Sequence, residues 1–402
     1  MSEQKTRANR ELPKTVNGFV TAMDEAETCR TVRWDEFLEI PVLLDQDTGK
    51  TEPLNDAYRA AIKAELEERY KLYSVSKFDD AFRIFCADPL RRYHPIKNRI
   101  ESIQWDGEAH IVNVFEKILK VTPSPYAVEC ARLLFAGGIQ RLYDPGCKND
   151  YVITLIGTKQ GEGKSTFLRW LALDDDWYGE LKTFDYQKGA EALNGKWIVE
   201  IPELAALRKS EVEEVKAFIS QQRDHYRRPY DRTISDIKRK CVMAGTTNAL
   251  QFLSDPTGNR RFLPIEVHSS GFDIYRDEEA VRAELEQCWA EAYHKRNTPF
   301  MRCTPNPKLL KRIEQEQEAA TVDDPNLSLI QSFLESRTET CVLEIYYDAF
   351  GHSTFDKPTK ADRNEIGLLL QRAGWRRTSS MYSYTKPTAS RQAKWVQADA
   401  LN

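Results

Sequence analysis

From Trp34 to about Lys148, apolar residues recur at three- and four-residue intervals, the period of one helix face. LNDAYRAAIKAELEERYKLY (54–73) and KFDDAFRIFCADPL (77–90) carry the pattern most plainly, and Pro89, Pro95, Pro123 and Pro125 punctuate it. YAVECARLLFAGGIQRLY (126–143) predicts a well-buried helix that stops at the loop DPGCKND. The opening of the chain is polar and unpatterned. A flexible arm is therefore expected over 1–33, and a helical domain over 34–148.

Past that loop the period changes. YVITLI (151–156), KWIVEI (196–201), CVMAGTT (241–247) and RRFLPIEV (260–267) are short apolar runs that predict strands. STFLRWLAL and SEVEEVKAFISQQ are helical patterns between them. Strands alternating with helices predict a mainly parallel α/β sheet, expected over 149–300. Within this span DEEAVRAELEQCWAEAYHKR (277–296) places acids at its start and bases at its end, as a helix dipole favours. A linker over 301–328, ending in TVDDPNLS, leads to a smaller unit over 329–402. That unit has two helical patterns, LSLIQSFLESR and ADRNEIGLLLQRAGW, and a Tyr-rich extended tail.

One junction carries chemistry. ITLIGTKQGEGKSTFLRWLA (153–172) runs from a strand through a Gly-rich turn into a helix. A helix N-terminus offers free N–H groups and a positive dipole end, and glycines let backbone approach phosphate oxygens. Gly161, Glu162, Gly163, Lys164, Ser165 and Thr166 form the expected nucleotide cradle, with Lys164 on phosphates and Ser165 on Mg²⁺. The usual G-x-x-x-x-G-K-[ST] spacing would put the first Gly at Thr158. Here it is Gly157, so the loop is one residue longer.

ATP hydrolysis also needs an acid for Mg²⁺ and water, a polar sensor and a cation for the transition-state charge. GKWIVEIPEL is a strand ending in Glu200 and Glu203, and Pro202 ends the strand between them. Either acid can serve as metal ligand or catalytic acid. CVMAGTTN brings Thr246, Thr247 and Asn248 to the same sheet edge, and Asn248 suits a sensor. Arg260 and Arg261 in DPTGNRRF are candidates for the arginine that reaches a neighbouring subunit's ATP.

Composition adds little on its own: 41% hydrophobic, 30% charged and a net charge of −4 describe an ordinary soluble protein. The start has no apolar leader, and no run approaches the ~18 apolar residues of a membrane span. A cytoplasmic protein with no membrane partner is expected. The eight cysteines have no C-x-x-C spacing, so reduced thiols are expected rather than zinc or disulfides. A local stripe does change the picture. Segment 216–240 interleaves Lys216, Arg223, Lys238, Arg239 and Lys240 with aromatic residues. At its centre Arg227, Arg228, Tyr230 and Arg232 combine cations for phosphates with a ring for stacking, a DNA-binding composition. The stretch from Lys357 to Lys394 is also basic.

The ordered series QGEGKST, GKWIVEIPEL, KAFISQQRDHYRRPYDR, GTTN and DPTGNRRF, with WDGEAH (105–110) and LYDPGCKNDYV (142–152) ahead of it, resembles the virulence-associated protein E family. That family looks like the superfamily 3 helicases, a branch of the AAA+ ATPases found on phages, plasmids and pathogenicity islands. The likeness spans roughly residues 95–300. It implies a P-loop AAA+ ATPase core, ATP and Mg²⁺ as cofactors, and a homo-oligomeric ring, a hexamer, hydrolysing ATP between subunits. By position, Lys164 and Ser165 are Walker A, Glu200 and Glu203 Walker B, Asn248 sensor 1, and Arg260 or Arg261 the finger. The interval containing Arg227 to Arg232 would hold the hairpin that grips DNA in the pore.

The expected protein is an ATP-dependent DNA helicase or translocase of a mobile element. It would act on single-stranded or forked DNA, with a separate primase or origin-binding partner. The N-terminal helices are expected as a collar, and the C-terminal unit as a winged-helix-like DNA-binding or interaction domain. The alternative is a P-loop ATPase that does not unwind: a loader, a remodeller or a defence or regulatory switch.

Overall fold

The computed structural model describes residues 11–159, 161–206, 209–226, 235–253, 259–321 and 325–398. The chain forms two compact units, Met1–Ala320 and Thr321–Asn402. No helix among the described residues is long and apolar enough to cross a membrane.

The first unit opens on helix α1 (Val16–Glu25), capped by Thr15, whose hydroxyl accepts from Gly18 N at 3.2 Å. Strands β1 (Val32–Asp35), β2 (Ile40–Leu44) and β3 (Thr51–Pro53), helices α2 (Asp56–Tyr70) and α3 (Val75–Ala87), and strand β4 (Arg92–Tyr93) follow. Two expectations change here. Much of the presumed arm is ordered, because Phe19, Ala22 and Met23 recur on one face of α1 and bury against Ile62, Leu66, Phe78 and Phe82. The region expected to be helical also contains a four-stranded sheet, ordered β3-β2-β1-β4. Its strands are too short, two to five residues, for an alternating pattern to stand out.

Helices α4 (Pro95–Ser102), α5 (Val114–Leu119) and α6 (Pro125–Tyr143) lead into the core. It comprises β5 (Val152–Ile156), α7 (Lys164–Leu171), β6 (Tyr178–Glu180), α8 (Tyr186–Ala192), β7 (Ile198–Ile201) and α9 (Lys209–Ile219). The hairpin β8 (Arg223–Tyr226) and β9 (Ser235–Lys238) comes next, then β10 (Val242–Thr247), β11 (Phe262–Glu266), α10 (Gly271–Arg276), α11 (Glu278–Lys295) and α12 (Leu310–Ala319). The central sheet is ordered β11-β5-β10-β7-β6, and every neighbouring pair is parallel.

Both faces of this sheet are covered, which is why its strands read as continuous apolar runs. Alternation along β5 sends Ile153 and Leu155 into one cluster with α6, α7 and α11, and Val152 and Ile156 into another with Val215 and Phe218 of α9. On the first face Trp289 meets Phe135 and Trp197, at ring separations of 4.6 and 4.2 Å. The Trp289 indole donates to Leu171 O, and the Trp197 indole to Gly138 O. A Cβ on Gly138 would lie 2.4 Å from the Trp289 ring, so the glycine in mid-helix is needed for close approach. Residues 301–320, expected as linker, instead belong to the first unit. Arg132, buried and paired with Glu129, donates to the carbonyls of Phe300, Arg302 and Thr304, and Gln317 donates to Phe262 O.

The second unit comprises α13 (Pro325–Leu334), β12 (Glu339–Thr340), the short α14 (Val342–Glu344) continued by a π-turn, α15 (Lys360–Arg372), β13 (Trp375–Tyr384) and β14 (Ser390–Gln397). Its antiparallel sheet is ordered β12-β14-β13. Ile330, Leu334, Ile366, Leu370, Trp375 and Trp395 share its core. Thr359 and Asp362 close a capping box at the start of α15.

Candidate nucleotide-binding site

Three parallel strands end at the same sheet edge, and the residues that follow them converge on one cleft. Gly157 follows β5, Pro202 and Glu203 follow β7, and Asn248 follows β10. The cleft holds about 380 Å³ and is lined by residues 161–166, Glu180, Glu200, Glu203, Thr246, Thr247 and Asn248.

The loop is built by its glycines. Gly161 (φ +82°) and Gly163 (φ +77°) take the left-handed backbone that glycine tolerates, and Gly163 caps α7. Gly157 donates its N–H to Thr247 O. A Cβ on Gly157 would lie 1.6 Å from Glu162 Oε2 and 2.4 Å from Lys164 Nζ. So the residue that looked displaced by one position is the one against which the loop folds back. Glu162 is buried, and Ser269 Oγ donates to its carbonyl.

Lys164 Nζ donates to Asn248 Oδ1 at 2.9 Å and lies 3.4 Å from Glu162 Oε2. The two glutamates after the cradle occupy different settings. Glu200 is 2% exposed; its Oε1 accepts from Ser165 Oγ at 2.8 Å and Thr246 Oγ1 at 2.6 Å, and its Oε2 from Tyr178 OH at 2.5 Å. Burial, with the Glu200 carboxylate beside it, pushes the Tyr178 phenol well up, so it stays a donor. Glu203 is exposed, has a left-handed backbone (φ +52°), and sits within 3.5 Å of Asn248 Nδ2. A non-glycine residue in that conformation is strained, and such strain gathers at functional sites. The sequence placed Ser165, Glu200 and Glu203 on one metal; the structure puts Glu200 against Ser165 and Glu203 against Asn248.

Two partners escaped the sequence reading. Tyr178 lies on β6, a three-residue strand with no apolar run to reveal it. Tyr275 of α10 is exposed, packs edge-on to Trp170 at 5.5 Å, and shares a 3.1 Å hydrogen bond with Thr166 Oγ1. No motif marks it.

Arg260 and Arg261 do not join the cleft. Phe262 pairs with Val152 at the start of β5, so both arginines sit at the opposite end of the strands, roughly 16 Å away along the sheet. Arg260 is exposed, and Arg261 Nε donates to Ser220 Oγ at 2.9 Å.

The basic segment divides in two. Arg239 is buried, paired with Asp224, and lies over the Phe218 ring. Lys216 is buried beside Glu213, and Lys240 binds Glu39 and the carbonyls of Glu36 and Phe37. These cations hold the fold. Arg227, Arg228, Tyr230 and Arg232 lie outside the described residues, in the segment that joins β8 to β9.

Known proteins share this architecture. The apo structure of the NrS-1 C-terminal region (305–718) superposes with a TM-score of 0.50 at 13% identity, covering 91% of this chain and 95% of that one. The A-form apo structure of the same region gives 0.51 at 12% identity, over 91% and 96%. These likenesses show the fold. No curated protein matches the chain. The model of the virulence-associated protein E-like domain matches residues 100–322, more than half of the chain and the whole of the cleft, and the chain belongs to that family.

Proposed function

We propose that this chain is an ATP-driven DNA motor, a superfamily 3-like helicase or translocase serving replication of a phage, plasmid or genomic island. The observation that carries this reading is the convergence of Lys164, Ser165, Glu200 and Asn248 on one cleft at the carboxyl edge of a parallel sheet.

The residues fit ATP and Mg²⁺. Gly161 to Thr166 would hold the triphosphate through backbone N–H groups and the Lys164 ammonium. Ser165 and Glu200, already in contact, would hold Mg²⁺, which neutralises phosphate charge when bound. Glu203, exposed at the mouth, would accept the proton of the attacking water, with Asn248 orienting it. Arg260 or Arg261 would serve the cleft of the next subunit in a hexameric ring, since neither lines its own.

DNA would meet the segment carrying Arg227, Arg228, Tyr230 and Arg232. The second unit would act as a winged-helix-like DNA-binding or interaction domain. Its helix–strand–helix–helix–strand–strand order and the exposed Arg363 and Arg376 support that role. A primase or origin-binding protein would be a separate partner.

The test is ATP turnover with and without single-stranded DNA, for wild type and Lys164→Ala, alongside strand displacement on a forked duplex. DNA-stimulated turnover with unwinding is expected, and Lys164→Ala should lose at least ~100-fold of it. Turnover without displacement would instead identify a non-unwinding loader or switch. No turnover in the assembled wild type would overturn the ATPase reading.

A further inference from the structure

The first unit holds a cavity larger than the nucleotide cleft. It is an open groove of about 1200 Å³ between the small N-terminal sheet and the core. Its walls are braced: Lys240 of the core reaches the Glu36 and Phe37 carbonyls at 2.8 and 2.9 Å and Glu39 at 2.7 Å. Seven lysines and arginines line it against three acids, in a chain whose net charge is −4.

Each of the three acids already has a cation. Glu36 is 3.4 Å from Arg92, Glu39 pairs with Lys240, and Asp236 with Arg223. Arg59 is satisfied by Asp79 at the back. The loosely held cations are therefore Arg83, Lys97 and Lys238. Arg83 is 82% exposed as a side chain and lies 3.9 Å from Asp80. Lys97 stacks over the Tyr143 ring, and Lys238 makes no ion pair among the described residues. Trp34, half-buried, adds an aromatic wall.

The geometry points to a second nucleic-acid site, in which this groove holds a single-stranded segment of the nucleic acid that meets the β8–β9 hairpin. Two observations favour this ligand. The groove exceeds the roughly 300–1,000 Å³ of small-molecule pockets and is open to solvent. It is also continuous with the hairpin, because Arg223 of β8 and Lys238 of β9 belong to both. Surplus cations with a stacking ring form a track for phosphates and bases rather than a pocket for one small anion. The inference rests on the reading of the chain as a DNA motor and gives that motor a path outside its hairpin.

Anisotropy of a fluorescein-labelled oligo(dT), titrated without nucleotide across a salt series, tests it. Each phosphate contact on a single strand contributes about 0.7 to the slope of log K against log salt. The triple variant Arg83→Gln, Lys97→Gln, Lys238→Gln should lower that slope by about 2 and weaken binding about 100-fold at 0.1 M salt. Arg83→Glu alone, at a side chain too exposed to unfold the protein, should weaken binding at least ~5-fold. Oligo-glutamate should compete poorly.

An unchanged slope and affinity in both variants overturns the groove while leaving a DNA-binding hairpin intact. Oligo-glutamate competing as well as oligo(dT) overturns it in favour of an acidic peptide. No oligo(dT) binding by wild type overturns the DNA reading itself. Lys164→Ala should bind oligo(dT) like wild type, which separates this site from the nucleotide cleft.

Discussion

Ser165 Oγ donates to Glu200 Oε1 at 2.8 Å, so the hydroxyl at the start of α7 and the buried acid of β7 share one polar spot while Glu203 stands apart. In the proposed mechanism that separation gives the two acids different tasks. Glu200→Gln should leave Ser165, Thr246 and Tyr178 competing for fewer acceptor sites, at a stability cost of about 1–3 kcal/mol. It should also abolish Mg²⁺-dependent ATP binding. Glu203→Gln should change stability by less than about 0.5 kcal/mol. It should bind Mg²⁺–ATP yet hydrolyse it ~10²–10⁴-fold more slowly. Calorimetric titration, thermal melting and single-turnover hydrolysis separate the pair; the reverse pattern would exchange their roles.

Gly157→Ala probes the long loop. The added methyl group would strike the far ends of Glu162 and Lys164, which can swing away. Stability should fall by no more than about 1 kcal/mol. ATP affinity should fall at least ~10-fold, because Lys164 is the group displaced. An ATP titration beside a melting curve checks this, and wild-type affinity would mean the loop does not fold back on Gly157.

Gly138→Ala makes the opposite kind of collision. Its methyl group would meet the Trp289 ring, wedged between Phe135 and Trp197 with its indole N–H held by Leu171 O. Nothing there can swing aside. A loss of about 1–3 kcal/mol is expected, read by urea denaturation with tryptophan fluorescence.

His94 should make the first unit acid-sensitive. Burial, aided by nearby Lys97 and Lys240, lowers its pKa from 6.5 to about 3, and its Nδ1 accepts from Lys97 N at the head of α4. The unfolded chain takes up a proton near pH 6.5 and the folded chain does not. Stability from this group is thus intact above 6.5 and declines as pH falls from 6.5 towards 3. The slope should approach about 1.4 kcal/mol per pH unit. Urea midpoints between neutral pH and pH 4.5 measure it; His94→Asn, which keeps an acceptor for Lys97 N, should remove this part of the slope.

The four apolar strand runs were legible because a sheet covered on both faces needs continuous apolar sequence. The chemistry was legible where it is tied to such a run: Lys164 opens the helix after β5, Glu200 lies near the end of β7, and Asn248 directly follows β10. What stayed hidden was pairing across the chain. Nothing local marks Arg239 as the partner of Asp224, or Lys240 as a tie to the N-terminal sheet, so both read as a basic face. Nor does YGE advertise β6, whose tyrosine completes the shell of Glu200. The one-residue lengthening of the loop likewise does not reveal locally that Gly157 packs against Glu162.

The arginines and the lysine cradle occupy opposite ends of the same five strands. If those arginines serve a neighbour's cleft, as proposed, a chain built this way owns two half-sites and no whole one. Lys164→Ala and a double Arg260→Ala, Arg261→Ala variant should each be inert alone. Mixed, they should regain part of the activity, since some neighbours would join an intact cradle to intact arginines. In a cell carrying both alleles, the same geometry would make these two lesions complement each other while either one poisons the wild-type chain.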